Sequence, residues 1–111
     1  MAANAGLLGK ATTVQADAPV TIYTVPSGAA YAVVSVDLHN STDTDMVVSL
    51  AITTNATASV GNADYLETKT VVPARGGYGR DCKCVSPNER IIVASSVPGL
   101  ICRVSGIEQA A

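Results

Sequence analysis

Apolar and polar residues alternate with a period of two along almost the whole chain, and no stretch carries a convincing 3.6-residue period. The pattern predicts eight strand-like runs: 7–15, 20–25, 30–39, 46–54, 64–72, 78–85, 90–95 and 100–107. The second, Val20-Thr21-Ile22-Tyr23-Thr24-Val25, is dense in β-branched residues and stops at Pro26-Ser27-Gly28, a strong turn signal. In the third, Ala32, Val34, Val36 and Leu38 form the inner set, with Tyr31, Val33, Ser35, Asp37 and His39 opposite. In the fourth, Met46, Val48, Leu50 and Ile52 share one face. These two runs flank Asn40-Ser41-Thr42-Asp43, residues that bond their own backbone, and together they read as the clearest hairpin. A small-residue loop, Asn55 to Ala63, follows the fourth run.

Short strands with turns every 8–12 residues are the signature of a β-sandwich or small barrel. The prolines fall at turns, as ladder hydrogen bonding requires. The expected fold is an all-β antiparallel β-sandwich of about eight strands, with jelly roll as the leading topology. Residues 1–6 read as a flexible arm, 7–108 as one sandwich domain and 109–111 as a short tail. The first run could be an edge strand or an arm that pairs with a neighbour.

Composition narrows the function. The chain has 111 residues, which fits one domain, and folding should bury roughly two-thirds of the extended-chain surface. It is 48% hydrophobic and 14% charged, too apolar for a disordered tail. Its apolar stretches fall far short of the ~20 residues that a membrane-spanning helix needs. A net charge of −2 argues against a nucleic-acid binder. Four Tyr with no Phe or Trp offer few stacking platforms for sugars or bases. The start shows no basic and apolar leader, and three Cys cannot all pair within one chain, so folding in a reducing compartment is expected.

Few groups could carry chemistry. Cys82, Cys84 and Cys102 could supply three thiolates, yet a C-x-C within a strand points side chains in parallel, and small core hydrophobes are the expected role. Ser35, Asp37 and His39 share a strand face, but same-face neighbours sit about 7 Å apart, too far for a hydrogen-bonded triad. Asn40, Asp43 and Asp45 place oxygens around one turn without the glycine and distal Glu of a calcium loop. Arg75-Gly76-Gly77 with Tyr78 and Arg80 reads as a glycine turn flanked by two arginines able to meet a partner's carboxylates. Asn40-Ser41-Thr42 and Asn55-Ala56-Thr57 match the glycosylation sequon, which acts only in a secreted chain. No enzyme activity, cofactor or metal is expected.

Several segments resemble a widespread group of small virion proteins of tailed bacteriophages. They are Asp64-Tyr65-Leu66-Glu67, Val72-Pro73-Ala74 with Gly76-Gly77, Asn88-Glu89-Arg90-Ile91-Ile92-Val93, and Arg103-Val104-Ser105-Gly106-Ile107-Glu108. The opening Leu7-Leu8-Gly9-Lys10 and Tyr23-Thr24-Val25-Pro26-Ser27-Gly28 fit the same group, while the three Cys and Arg75 depart from it. The resemblance implies a structural subunit made in the host cytoplasm and built into the virion. Capsid cement or decoration leads, with the major capsid protein or other virion subunits as partners and a homo-oligomer, a trimer first, as its form. A tail or head–tail component is the alternative, and a carbohydrate-binding module for host attachment is a more distant one. The residues expected to meet partners are Asn4, Leu7, Leu8 and Lys10 near the start, and Asp43, Asp45, Arg75 and Arg80 at turns.

Overall fold

The computed structural model describes residues 3–54 and 65–110, with backbone alone at 3–4 and 81–83. The loop 55–63 and its sequon, and Asp64, lie outside the described residues. Eight strands form in the order β1 (Ala3–Thr12), β2 (Val20–Thr24), β3 (Ala29–Asn40), β4 (Met46–Thr53), β5 (Tyr65–Val72), β6 (Gly77–Val85), β7 (Arg90–Ser95) and β8 (Leu100–Ala110). They build two four-stranded sheets, β1-β8-β3-β6 (sheet A) and β2-β7-β4-β5 (sheet B). Every pairing is antiparallel, including β1 with β8, β2 with β7, β3 with β6 and β4 with β5. That nested order is the jelly-roll arrangement of a β-sandwich, as the pattern of runs led one to expect.

The core lies between the sheets. Val34, Val36 and Leu38 of β3 and Leu100, Cys102 and Val104 of β8 face Met46, Val48 and Leu50 of β4 and Ile91 and Val93 of β7. All are buried, so the predicted inner set of β3 is the observed one. In β4 the alternation breaks after Leu50. Ala51 and Thr53 are buried while Ile52 is half-buried, because the register with β5 shifts on either side of Leu50.

Two expectations need correction. β3 and β4 do not form a hairpin: β3 lies in sheet A and β4 in sheet B. Each carries one apolar face, and the chain turns between the layers so that the two faces meet across the core. The corner is held by Asn40, whose side chain is fully buried. Its Nδ2 donates to the carbonyls of Thr44 (2.8 Å), Val72 (3.1 Å) and Pro73 (3.2 Å), and its Oδ1 accepts from Thr42 N (2.9 Å) and Thr42 Oγ1 (2.7 Å). The second correction concerns the ends. Residues 3–6, read as an arm, belong to β1, and residues 109–110, read as a tail, belong to β8. They pair with one another, Ala3 opposite Gln109 and Asn4 opposite Glu108, which satisfies backbone groups that a free arm would leave to water.

Thr13 closes the other end of β1. Its Oγ1 accepts from Ser95 Oγ (2.9 Å), Gly99 N (3.1 Å) and Leu100 N (2.9 Å). Gly106, in the middle of β8, has φ +154°, and a Cβ there would lie 2.0 Å from the carbonyl oxygen of Val33. Backbone crowding on that scale admits only glycine. Leu100→Ala, which empties a fully buried site, should lower the unfolding free energy by about 2–5 kcal/mol. Gly106→Ala should cost at least about 2 kcal/mol through strain and displacement of β3. Urea denaturation of both variants checks these values, with m unchanged if only stability moves.

Candidate functional site: an interaction surface

Among the described residues, the reactive side chains do not converge. Ser35, Asp37 and His39 line the outer face of β3, and Asp37 and His39 are exposed there. At the corner after β3, the oxygens of Asn40, Asp43 and Asp45 turn to separate partners. Asp43 Oδ1 meets Arg75 Nε at 2.9 Å, Asp45 Oδ1 accepts from Ala74 N at 2.9 Å, and Asn40 serves the backbone. Three of the expected partner-binding groups, Asp43, Asp45 and Arg75, thus sit together where the β3–β4 and β5–β6 connections meet. The Asp43–Arg75 pair is well exposed, with side chains 85% and 64% open to solvent. Surface pairs of this kind add little stability, so the charges stay available to a neighbour.

Arg80 sits elsewhere. From β6 its Nε donates to Glu67 Oε2 of β5 at 2.8 Å, and its Nη2 bonds the same oxygen. Tyr78 Oη also donates to Glu67 Oε2 (2.6 Å), and Thr70 Oγ1 to Oε1 (2.8 Å). Since β5 edges sheet B and β6 edges sheet A, this cluster ties the two layers along one open side. Arg80 is therefore engaged within the fold, and Glu67 is the member that spacing alone did not single out. The hydrogen bond from Tyr78, then that from Arg80, holds the Glu67 carboxyl down at about 2. The same bond raises the Tyr78 phenol.

A second polar tie crosses the interior. Tyr23 Oη of β2 donates to Glu108 Oε2 of β8, and both residues are buried. Burial, then the bond to Glu108, pushes the Tyr23 phenol up. The signal for this pair was in the sequence, because Glu108 keeps the inward phase of Leu100, Cys102 and Val104. Cys102 is the small core hydrophobe expected, with burial raising its thiol to about 12. Cys84 is not, for it is exposed on the outer face of β6. Its partner across the ladder is the outward Val33, which fixes the face it shares. The side chain of Cys82 lies outside the described residues.

The outer face of sheet A also carries expected partner residues. Leu7 (46% exposed) and Lys10 project there from β1, whereas Leu8 turns to the core at a bulge between Leu7 and Gly9. The backbone of Asn4 pairs with β8, and its side chain lies outside the described residues. The strand registers arrange the face in rows. Ala5, Ile107, Val33 and Cys84 make an apolar row across all four strands. Leu7, Ser105 and Ser35 follow, then Lys10, Arg103, Asp37 and Gly79, then Thr12, Ile101, His39 and Gly77. Lys10, Ala11, Thr12, Ile101 and Arg103 also line a shallow groove of about 410 Å³.

No protein-family profile matches the chain, and no curated protein matches it in sequence. Among solved structures it is similar to a chain of the cyanophage Pam1 capsid asymmetric unit, at 16% identity over 96% of this chain and 84% of that one, with a TM-score of 0.44.

Two predictions test this geometry. Glu67 has a depressed folded-state pKa, so its contribution to stability is complete above about pH 4.5 and is lost as pH falls toward 2. Glu67→Gln should therefore cost on the order of 1–2 kcal/mol at pH 7 and flatten stability across that acid window. Urea midpoints measured from pH 7 to pH 2 would show it. Separately, Cys102 should resist iodoacetamide in the folded protein and become modified only in denaturant, as read by peptide mass spectrometry.

Proposed function

We propose that this protein is a non-enzymatic structural subunit of a bacteriophage virion, acting as capsid cement or decoration. The observation that carries the reading is the distribution of apolar surface. Among the described residues Leu7, Val14, Tyr31, Val33, Val47, Val71, Ile101 and Ile107 are all large, hydrophobic and at least 36% exposed. They lie on the outer faces of both sheets and on the β1–β2 turn, while the buried polar side chains are satisfied internally. A domain of this size exposes so much apolar side chain when neighbours cover it. The phage setting comes from the resemblance of the strand-end and turn segments, two of which supply the buried Tyr23–Glu108 tie.

In this role the subunit adds buried area across joints between capsomers, so pressure from packaged DNA must break more contacts to open the shell. The Asp43, Asp45 and Arg75 corner and the outer face of sheet B are the surfaces that would meet the major capsid protein. The absence of converging nucleophile, base and orienting group among the described residues fits a binder better than an enzyme.

Particles assembled without this subunit should keep their tails but lose infectivity after heating or low-salt shock at temperatures the wild type survives. Gel densitometry of purified particles should give hundreds of copies each. Tailless particles, or a copy number in the few to tens, would move the protein to the tail or its connector.

A further inference from the structure

The outer face of sheet A has a midline between β8 and β3, flanked by β1 and β6. Consider a second copy turned by half a turn about an axis along that midline, parallel to the strands. Its face then lies on the first with each row against its own counterpart, β8 exchanged with β3 and β1 with β6. The residues that meet are complementary. Arg103 of one copy falls on Asp37 of the other, twice over, because the two are register partners on β8 and β3. Ile107 falls on Val33, again twice, and Cys84 on Ala5. Ser35 and Ser105, side by side at the centre, are small enough to let the sheets approach to the ~10 Å of face-to-face packing.

We propose that the protein pairs with a second copy of itself through the outer face of sheet A, as a two-fold dimer. The charges support it. Arg103 and Asp37 are both exposed, and among the described residues no ion pair joins them within the chain. Each is therefore available to the other copy. The area supports it too. Four strands spaced ~4.8 Å and about nine residues at ~3.3 Å give roughly 500–600 Å² of flat area per copy. The pair thus removes about 1,000–1,200 Å² from water, at the threshold of a specific interface. Aligned sheets cross at about 30°, which the same axis allows when it bisects the two strand directions.

The outer face of sheet B lacks this self-complementarity. Val47 and Val71 neighbour each other on β4 and β5, so the equivalent operation lays them on β7 and β2. An isologous pair also differs from the three-fold form that the resemblance implies, and it stands or falls independently of the virion role.

The test uses the full chain. Light scattering behind size exclusion should give twice the 11.2 kDa mass at micromolar concentration; a monomer or a trimer would overturn the proposal. Asp37→Arg and Arg103→Asp should each weaken dimerisation at least tenfold, since like charges then oppose across the interface. The deciding arm is an equimolar mixture of the two variants, which should form a heterodimer as stable as the wild-type pair. Two variants harmed only within their own chains could not repair each other on mixing. Singles that dimerise like wild type, or a mixture that stays monomeric, would refute it. Circular dichroism melts establish folding of each variant, and Ile107→Lys, at a site 51% exposed, gives a second disruption that should yield a folded monomer.

Discussion

Everything in this sandwich hangs on the accommodation of β8 between β1 and β3. β8 carries the middle of sheet A, runs the two chain ends together and brings Leu100, Cys102 and Val104 to the core. The constraint is steric as much as attractive. At Gly106 the backbone of β3 passes so close that any side chain would collide with the Val33 carbonyl. Because β8 follows the other described strands in sequence and lies between β1 and β3, sheet A is joined up only once β8 is in place. Among the described strands β1 pairs with β8 alone, so its order is a consequence of β8 being in place.

The sides of the sandwich are managed by different means. Where β5 lies over β6, Glu67 collects hydrogen bonds from Tyr78, Arg80 and Thr70, a charged clamp at a partly exposed rim. Where β1 lies over β2, the approach is by backbone: a Cβ on Gly9 would sit 2.2 Å from the Ile22 carbonyl oxygen. Between them, Tyr23 and Glu108 tie the layers inside. Buried polar groups such as these cost desolvation unless fully paired, and here each has its partner, so they select one arrangement of the layers over others. With the interior satisfied, the surplus apolar residues are left on the outer faces, where the proposed assembly would cover them.

Much of this was legible in the residues. The two-residue period located all eight strands, and the inner set of β3 followed from phase alone. The hairpin reading of β3 and β4 failed because local alternation says which face is apolar and nothing about which strand lies alongside. In a nested jelly roll nearly every connection crosses between layers, so strands adjacent in sequence usually face each other across the core. Cys84 was misplaced for a related reason: its orientation follows from pairing with Val33 and from the register shift between Val34 and Val36, neither of which spacing reveals. The role of Glu67 is not visible along the chain because Tyr78 and Arg80, which pair with it, lie on the next strand in the other layer.

By itself, then, the sequence determined the class of fold, the strand positions and most of the inward faces, since all of these are properties of neighbours along the chain. The tertiary structure decided the strand order, the joining of both termini in one sheet, the clamp at Glu67 and the rows on the outer face of sheet A. These depend on register between residues more than a hundred positions apart, as Ala3 opposite Gln109 shows, and register is set by packing and backbone contact after the layers meet.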